Sequence, residues 1–212
     1  MLIEIFCFNP FQENTFVLYD ESGECVIVDP GCLSTQEEKV LSDFISANSL
    51  IPTKVLLTHS HIDHIFGLKY VVDKYKIPVV GHPHDAFFLA QAKDYALQFG
   101  ITLSDNLPLI DESCLHGDIV SFGETKLQVI HVPGHSPGGV AFYSKENNCL
   151  VCGDILFHQS IGRSDLPGGN YEMLISGIKD RLLTLPPGVN VYPGHGPSTT
   201  IKFEKENNSF LI

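Results

Sequence analysis

The stretch Thr58-His59-Ser60-His61-Ile62-Asp63-His64 follows directly on the apolar run Val55-Leu56-Leu57 and constrains the fold more than any other. Three histidines and an aspartate packed this closely serve no hydrophobic core. Neutral imidazole is the commonest metal donor near neutral pH, and aspartate adds an anionic oxygen. In an extended segment His59 and His61 point to one side, because side chains alternate along a strand. Asp63 and His64 fall where the strand gives way to a turn, and aim elsewhere. Four donors in two directions suggest two adjacent metals. The end of this strand must therefore lie where further donors can reach it.

Those donors recur further along the chain in matching settings. His135 sits in Pro133-Gly134-His135-Ser136-Pro137-Gly138-Gly139, Asp154 follows Gly153, and His195 sits in Pro193-Gly194-His195-Gly196. Each stands in a Gly- or Pro-rich loop just after an apolar run that reads as a strand: Lys126–Val132, Cys149–Cys152 and Val189–Tyr192. If those strand ends share one edge, all seven residues converge.

The remaining elements follow from periodicity. Residues 2–7, Thr15–Tyr19 and Cys25–Asp29 read as strands, the last two forming a hairpin across Asp20-Glu21-Ser22-Gly23. Ser34 and Glu37 form a capping-box pattern ahead of a helix striped by Val40, Leu41, Phe44 and Ile45. Ile65–Tyr75 reads as a helix and Ile77–Val80 as a short buried strand. His82-Pro83-His84-Asp85 repeats the H-x-H spacing, but Pro83 and the amphipathic run to Gln98 favour a helix-capping loop. Residues 100–117 lack periodicity and read as either a lid or a plain surface insertion. Asp118–Ser121 and Val140–Ser144 add strands, Asn170 caps a helix over Tyr171–Leu185, and a helix follows His195. Strands thus come in runs with helices between the runs, which suggests two sheets packed face to face with helices outside.

Composition narrows the function. With 212 residues, 43% hydrophobic and 18% charged, the chain reads as one globular domain spanning 1–212. A net charge of −12 argues against nucleic acid, and no run is long and apolar enough for a bilayer. An anionic substrate would be drawn by metals and local basic groups. Six cysteines without a basic leader point to reduced thiols in the cytoplasm. Cys149-Leu150-Val151-Cys152 has C-x-x-C spacing but no second pair, and reads as two thiols on a strand. His116, His131 and His158 stand alone and read as surface or core histidines, His158 near enough to Asp154 to border the site.

The set H-x-H-x-D-H, P-G-H-S, G-D and P-G-H-G, in this order over residues 1–200, resembles the metallo-β-lactamase-fold hydrolases. Within them it is most similar to short bacterial hydroxyacylglutathione hydrolases, the glyoxalase II type. The resemblance implies an α/β (α+β) fold, a four-layer αββα sandwich of two mixed sheets flanked by helices. It implies two divalent metal ions, zinc foremost, with iron or manganese also accommodated. His59, His61 and His135 would hold the first metal; Asp63, His64 and His195 the second; Asp154 would bridge them. Asp29, in its D-P-G turn, would either orient a ligand or simply cap the turn.

The activity expected on that basis is thioester hydrolysis by a metal-bridging hydroxide, with Asp63 and Asp154 catalytic. A thiolate leaves without a strong acid, and no Gly-x-Ser-x-Gly supports a serine nucleophile. The helical C-terminal domain that grips glutathione in the longer relatives has no counterpart, so the glutathione-linked partner stands as one candidate thioester. Arg163, in Gly162-Arg163-Ser164-Asp165, would clamp a substrate carboxylate or pair with Asp165. A persulfide dioxygenase on the same fold is the alternative, with one iron on His59, His135 and Asp154. A metal-binding sensor is the non-catalytic one.

Overall fold

A computed structural model describes residues 1–212, and its architecture follows from the parity of the apolar residues along each strand. The N-terminal half contributes β1 (Leu2–Phe8), β2 (Glu13–Tyr19), β3 (Glu24–Val28), α1 (Thr35–Ala47), β4 (Ile51–Leu56), α2 (Leu68–Tyr75), β5 (Val79–Gly81), α3 (Ala86–Leu97) and β6 (Glu112–Ser113). Its strands form one sheet in sequence order, antiparallel from β1 to β3 and parallel from β3 to β6. The C-terminal half contributes β7 (Ile119–Phe122), β8 (Thr125–His131), β9 (Val140–Ser144), β10 (Cys149–Gly153), a small hairpin of β11 (Leu156–Phe157) and β12 (Ser160–Ile161), α4 (Tyr171–Gly177), β13 (Asn190–Pro193), β14 (Thr199–Thr200) and α5 (Ile201–Asn207). The second sheet runs β14-β13-β10-β9-β8-β7, with only β10 and β13 adjacent and parallel.

Alternate residues sort into three cores. Phe16, Leu18, Val26, Val28 and Leu56 face Val120, Phe122, Leu127, Val129 and Phe142 between the sheets. Their neighbours Val17, Ile27 and Val55 face outward onto Leu41, Leu68 and Leu89 of the first helical layer. On the other side Ile130, Ala141 and Leu150 meet Leu174, Ile178 and Ile201. The result is the expected αββα sandwich. A one-residue slip would exchange the two faces of a strand, so register is fixed by burial on both. Truncating the fully buried Phe16 or Phe142 to alanine should cost about 3–5 kcal/mol.

This topology explains why the candidate donors meet. β3, β4 and β5 are parallel, and β8, β10 and β13 share one direction, β9 running between β8 and β10 in reverse. The ends of β4, β8, β10 and β13 therefore open at one edge, the one where β2 begins. There Asn14 stitches the sheets together: its N–H donates to the Gly194 carbonyl at 2.7 Å. Its side-chain amide donates to Pro193 and Gly196 carbonyls at 3.0 and 2.9 Å.

Several expectations are borne out in detail and others are corrected. The capping box exists in both halves, Ser34 Oγ accepting from Glu37 N–H and the Glu37 carboxylate from Ser34 N–H. Cys149 and Cys152, three apart on β10, face opposite ways by strand parity, and all six cysteines are free. The helix expected over Tyr171–Leu185 keeps α-geometry only to Gly177; Ile178–Leu182 continue as a π-turn. Of the two readings of residues 100–117 the surface insertion holds: most of the segment is exposed, although it is anchored. Leu103 is buried in the first core with Leu107 and Ile110 against it, and β6 pairs with β5. No helix is long and apolar enough to cross a membrane.

Candidate metal centre

At the shared edge the seven predicted donors form two groups that meet at one carboxylate. His59 leaves β4 almost fully buried, and His61 lies one residue beyond Ser60. His135 comes from the loop after β8, its Nε2 lying 2.8 Å from His61 Nδ1 and 3.3 Å from His59 Nε2. The three rings cross one another at 77–86°, so their in-plane lone pairs converge on one point. Asp63 and His64 follow in a short 3₁₀ turn, and His195 arrives from the loop after β13, Nε2 3.2 Å from Asp63 Oδ2. Asp154, after β10, stands between the groups. Its Oδ2 is 3.6 Å from His135 Nε2 and 3.5 Å from His195 Nε2, while Oδ1 is 3.4 Å from His64 Nε2.

Four of the five rings, all but His61, are aimed by what holds their other nitrogen. His135 Nδ1–H donates to the Arg163 carbonyl at 2.7 Å, and His195 Nδ1–H is shared between the Phe11 and Gln12 carbonyls. His59 Nδ1–H reaches Thr58 Oγ1 at 3.0 Å, whose hydroxyl in turn donates to Asp29. Asp29 also accepts from Thr58 N–H at 2.7 Å and His64 Nδ1–H at 3.0 Å. It is fully buried at a left-handed φ of 48°, a conformation that non-glycine residues hold only when the surroundings impose it. Asp29 therefore orients ligand-bearing residues and does more than cap a turn. Gly153, φ 49°, is needed where it stands, since a Cβ would lie 2.2 Å from Thr58 Oγ1.

Electrostatics fit a cation. Burial, then the neighbouring imidazoles, holds His59 well below the usual histidine range and pulls His61 down to about 3, leaving neutral lone pairs. His64 is the reverse. Burial alone would lower it, but Asp154 and Asp63 outweigh burial and hold it well above its ordinary value. The carboxylates thus require one positive charge at that spot, a proton or a metal. His64 Nε2 and Asp154 Oδ1 are buried with no hydrogen-bond partner. Such orphans are costly unless a ligand satisfies them. His59, His61 and His135, and separately Asp63, His64 and His195, could each hold one ion.

Two supporting residues escaped the sequence reading. Asp85, 1% exposed, accepts from Ser60 N–H at 2.9 Å and Gly138 N–H at 2.6 Å, and from the Ser136 hydroxyl. It clamps the loop of His59 and His61 to the loop of His135, and gives α3 no side-chain cap. Glu13, fully buried beside His64, is held well above the usual carboxylate range, by burial first. Both are reached only through long-range packing, and nothing local marks them. The guanidinium of Arg163 makes a two-pronged pair with Asp165, at 2.8 Å on each arm, so only its carbonyl meets the ligand set. His158 stacks on Phe203 and leaves the centre alone.

The mouth above the donors is a cavity of about 240 Å³ walled by Phe11, Ile62, Tyr95, Phe99 and Leu166. It adjoins an apolar recess lined by Phe87, Phe88, Ala92, Tyr95, Leu166 and Pro167. Most of this wall comes from α3 and the residue Phe99 beyond it; none of it comes from 100–117.

Comparison with known proteins accords with this geometry. A probable metallo-hydrolase of Bacillus subtilis, YqgX, is 37% identical over 95% of this chain and 93% of its own. A hydroxyacylglutathione hydrolase, GloC of Haemophilus influenzae, is 33% identical over 100% of this chain and 98% of its own. Among solved structures, BLEG-1, a B3 metallo-beta-lactamase, superposes with a TM-score of 0.89 at 36% identity, covering 99% of both chains. TTHA1623 in a di-iron-bound form gives 0.87 at 37%, covering 100% of both. ETHE1 from Myxococcus xanthus gives 0.79 at 26%, covering 99% of this chain and 84% of that one. The family model of the metallo-beta-lactamase superfamily matches residues 8–195. With the αββα fold and two donor groups assembled at one edge, the chain belongs to the metallo-beta-lactamase superfamily.

Proposed function

We propose that this metallo-hydrolase cleaves thioesters at a two-metal centre, with His59, His61 and His135 on one ion, Asp63, His64 and His195 on the other, and Asp154 shared. The observation that carries the reading is the meeting of two complete donor groups at a single carboxylate, Asp154 within 3.6 Å of three imidazole nitrogens. Two divalent cations, zinc in our reading, supply Lewis acidity and lower the pKa of a water when bound. The residues lining the donor cavity include no Ser, Thr or Cys, so a water is the nucleophile. Asp63, whose Oδ2 faces His195, orients that water and accepts its hydrogen bond. The same lining offers no carboxylic acid apart from the donors, which suits a leaving group that departs as a thiolate without protonation.

The wall of the mouth shapes the substrate reading. Arg163 is the one Arg or Lys in it, and Asp165 already fills its fork. A glutathione-linked substrate would have to displace that pair to place a carboxylate on the guanidinium. Phe88, Tyr95 and Leu166 instead favour an apolar group beside the reacting carbonyl, since burying it against them contributes about 25 cal/mol per Å². Thioesters with an apolar acyl or thiol portion are therefore the preferred class.

The test is metal analysis of the purified chain followed by turnover assays. About two metal ions per chain, with thiol release from S-lactoylglutathione and faster release from an aryl-substituted acyl analogue, supports the proposal. One iron per chain with persulfide-dependent oxygen uptake overturns it in favour of a dioxygenase. Ring opening of a β-lactam without thiol release from any thioester overturns it equally.

A further inference from the structure

Four of the ten histidines lie outside the metal centre and its neighbour His158, and they gather in one place. His82 follows β5 of the first sheet directly, His84 lies in the turn Pro83–Asp85, and His131 ends β8 of the second. Their candidate donor atoms all lie within 4.8 Å of one another. His82 is buried, His131 half-buried and His84 exposed, so the group is open to solvent on one side. His116 stands beside them, its Nδ1 accepting from His131 N–H at 3.3 Å.

We infer that His82, His84 and His131 form a further metal site, taking a single zinc-class divalent cation through three imidazoles with water completing the coordination. Three observations support it. First, His131 Nε2–H donates to the Pro137 carbonyl at 2.9 Å, which fixes the tautomer and leaves Nδ1 as a lone pair. A carbonyl behind an imidazole is how His135 is held at the main centre, and it is a common brace for a metal-bound histidine. Second, His82 and His131 stack at 4.0 Å with only 13° between their planes. Two rings this close repel each other if both are charged, so the group keeps an imidazole lone pair. Third, no carboxylate faces the group, so the set is all nitrogen, suited to Zn²⁺, Ni²⁺ or Cu²⁺ and not to Mg²⁺ or Ca²⁺.

Binding needs one adjustment. His84 already crosses His82 at 77° and His131 at 71°, angles like those at the main centre. The stacked pair must open, since two parallel rings cannot both aim in-plane lone pairs at one ion. His82 is the ring to turn, because its one contact, His84 N–H on Nδ1, is long at 3.3 Å. The site also has a mechanical connection. Asp85, next to His84, clamps Ser60 and Gly138, and His131 holds Pro137, so the cation sits behind both loops that carry His59, His61 and His135.

The experiment compares native protein with His84→Ala and His131→Asn, each with its main centre filled, by titrating Zn²⁺ in a calorimeter and repeating with Mg²⁺. The difference between native and variants is the readout, so the result does not depend on how many ions the main centre holds. The expected result is one additional Zn²⁺ equivalent in native protein at micromolar Kd, weakened at least tenfold in both variants, with no Mg²⁺ binding and unchanged thiol release by His84→Ala. Absence of the additional equivalent in native protein, or its persistence in both variants, overturns the site. A circular dichroism spectrum identical to native keeps a misfolded His131→Asn from counting as support.

Discussion

The two histidine groups use the same side chain under opposite physical conditions. At the main centre every ring but His61 is backed by a carbonyl, a hydroxyl or a buried carboxylate, and four carboxylic side chains, Glu13, Asp29, Asp63 and Asp154, share the space. At the second group one ring has a firm carbonyl brace, one a long contact and one is exposed. Preorganisation separates them: the first has its lone pairs already aimed, whereas the second must break a ring stack before it can coordinate. A preorganised site binds tightly because little is left to arrange. The comparison implies an ion kept throughout turnover at the first and an exchangeable one at the second.

Perturbations should therefore fall unequally. The largest effect belongs to Asp154→Ala, which removes the carboxylate common to both donor groups. Thiol release should drop more than about 10³-fold, beyond the loss from one electrostatic contact at a reaction centre. Zn²⁺ binding at His82, His84 and His131 should be unaffected; retained turnover would sink the ligand assignment. Next comes Asp29→Asn, which keeps shape but weakens the hold on Thr58 and His64. Chelator competition should show metal retention weakened by about 10–100-fold, and an unchanged value would make Asp29 a turn residue only.

Smaller effects test the mouth and the second group. Tyr95→Ala should raise KM for an apolar thioester about tenfold with little change in kcat, as loss of about 1.4 kcal/mol of uniform binding does. A fall in kcat alone would place Tyr95 in the chemistry instead. The smallest effect concerns pH. His82 titrates near 6.5 when unfolded and at about 4 when folded, pulled down by burial and then by His131 and His84. The unfolded chain binds the extra proton between those values, so stability is complete above 6.5, declines as pH falls through the window and levels off below 4. Thermal melts of zinc-free protein should show His82→Gln losing a few °C less than native across that interval. Parallel slopes would refute the assignment.

What the sequence reveals and what it hides divides along chain distance. His59 through His64 are legible because their chemistry is packed into one strand end, and His135, Asp154 and His195 because each follows a strand in a Gly- or Pro-rich loop. Ser34 with Glu37 and Asn170 with Met173 are equally local, and the structure keeps both caps. Asp85 is hidden within what reads as a helix-capping loop, because its partners, Ser60 and Gly138, are 25 and 53 residues away. His131 looked solitary because His82 lies on the other sheet. The aromatic mouth was hidden too: the run to Gln98 reads as an amphipathic helix, yet its exposed face carries Phe87 just as its buried face carries Leu89. Arg163 reads from the sequence as either a carboxylate clamp or a partner of Asp165, and the structure shows its fork on Asp165.

Asn14 carries a consequence for how the chain becomes active. Its amide spans 179 residues to Pro193 and 182 to Gly196, and contacts of such separation form late because a large loop must close before they repay its entropy. His59, His61 and His135 lie within the first two-thirds of the chain, whereas His195 is placed only where the start of β2 meets the loop after β13. The second donor group therefore rests on the longest chain closure in the centre: losing the seam between the start of β2 and the loop after β13 would release His195 while leaving Asp63 and His64 in place.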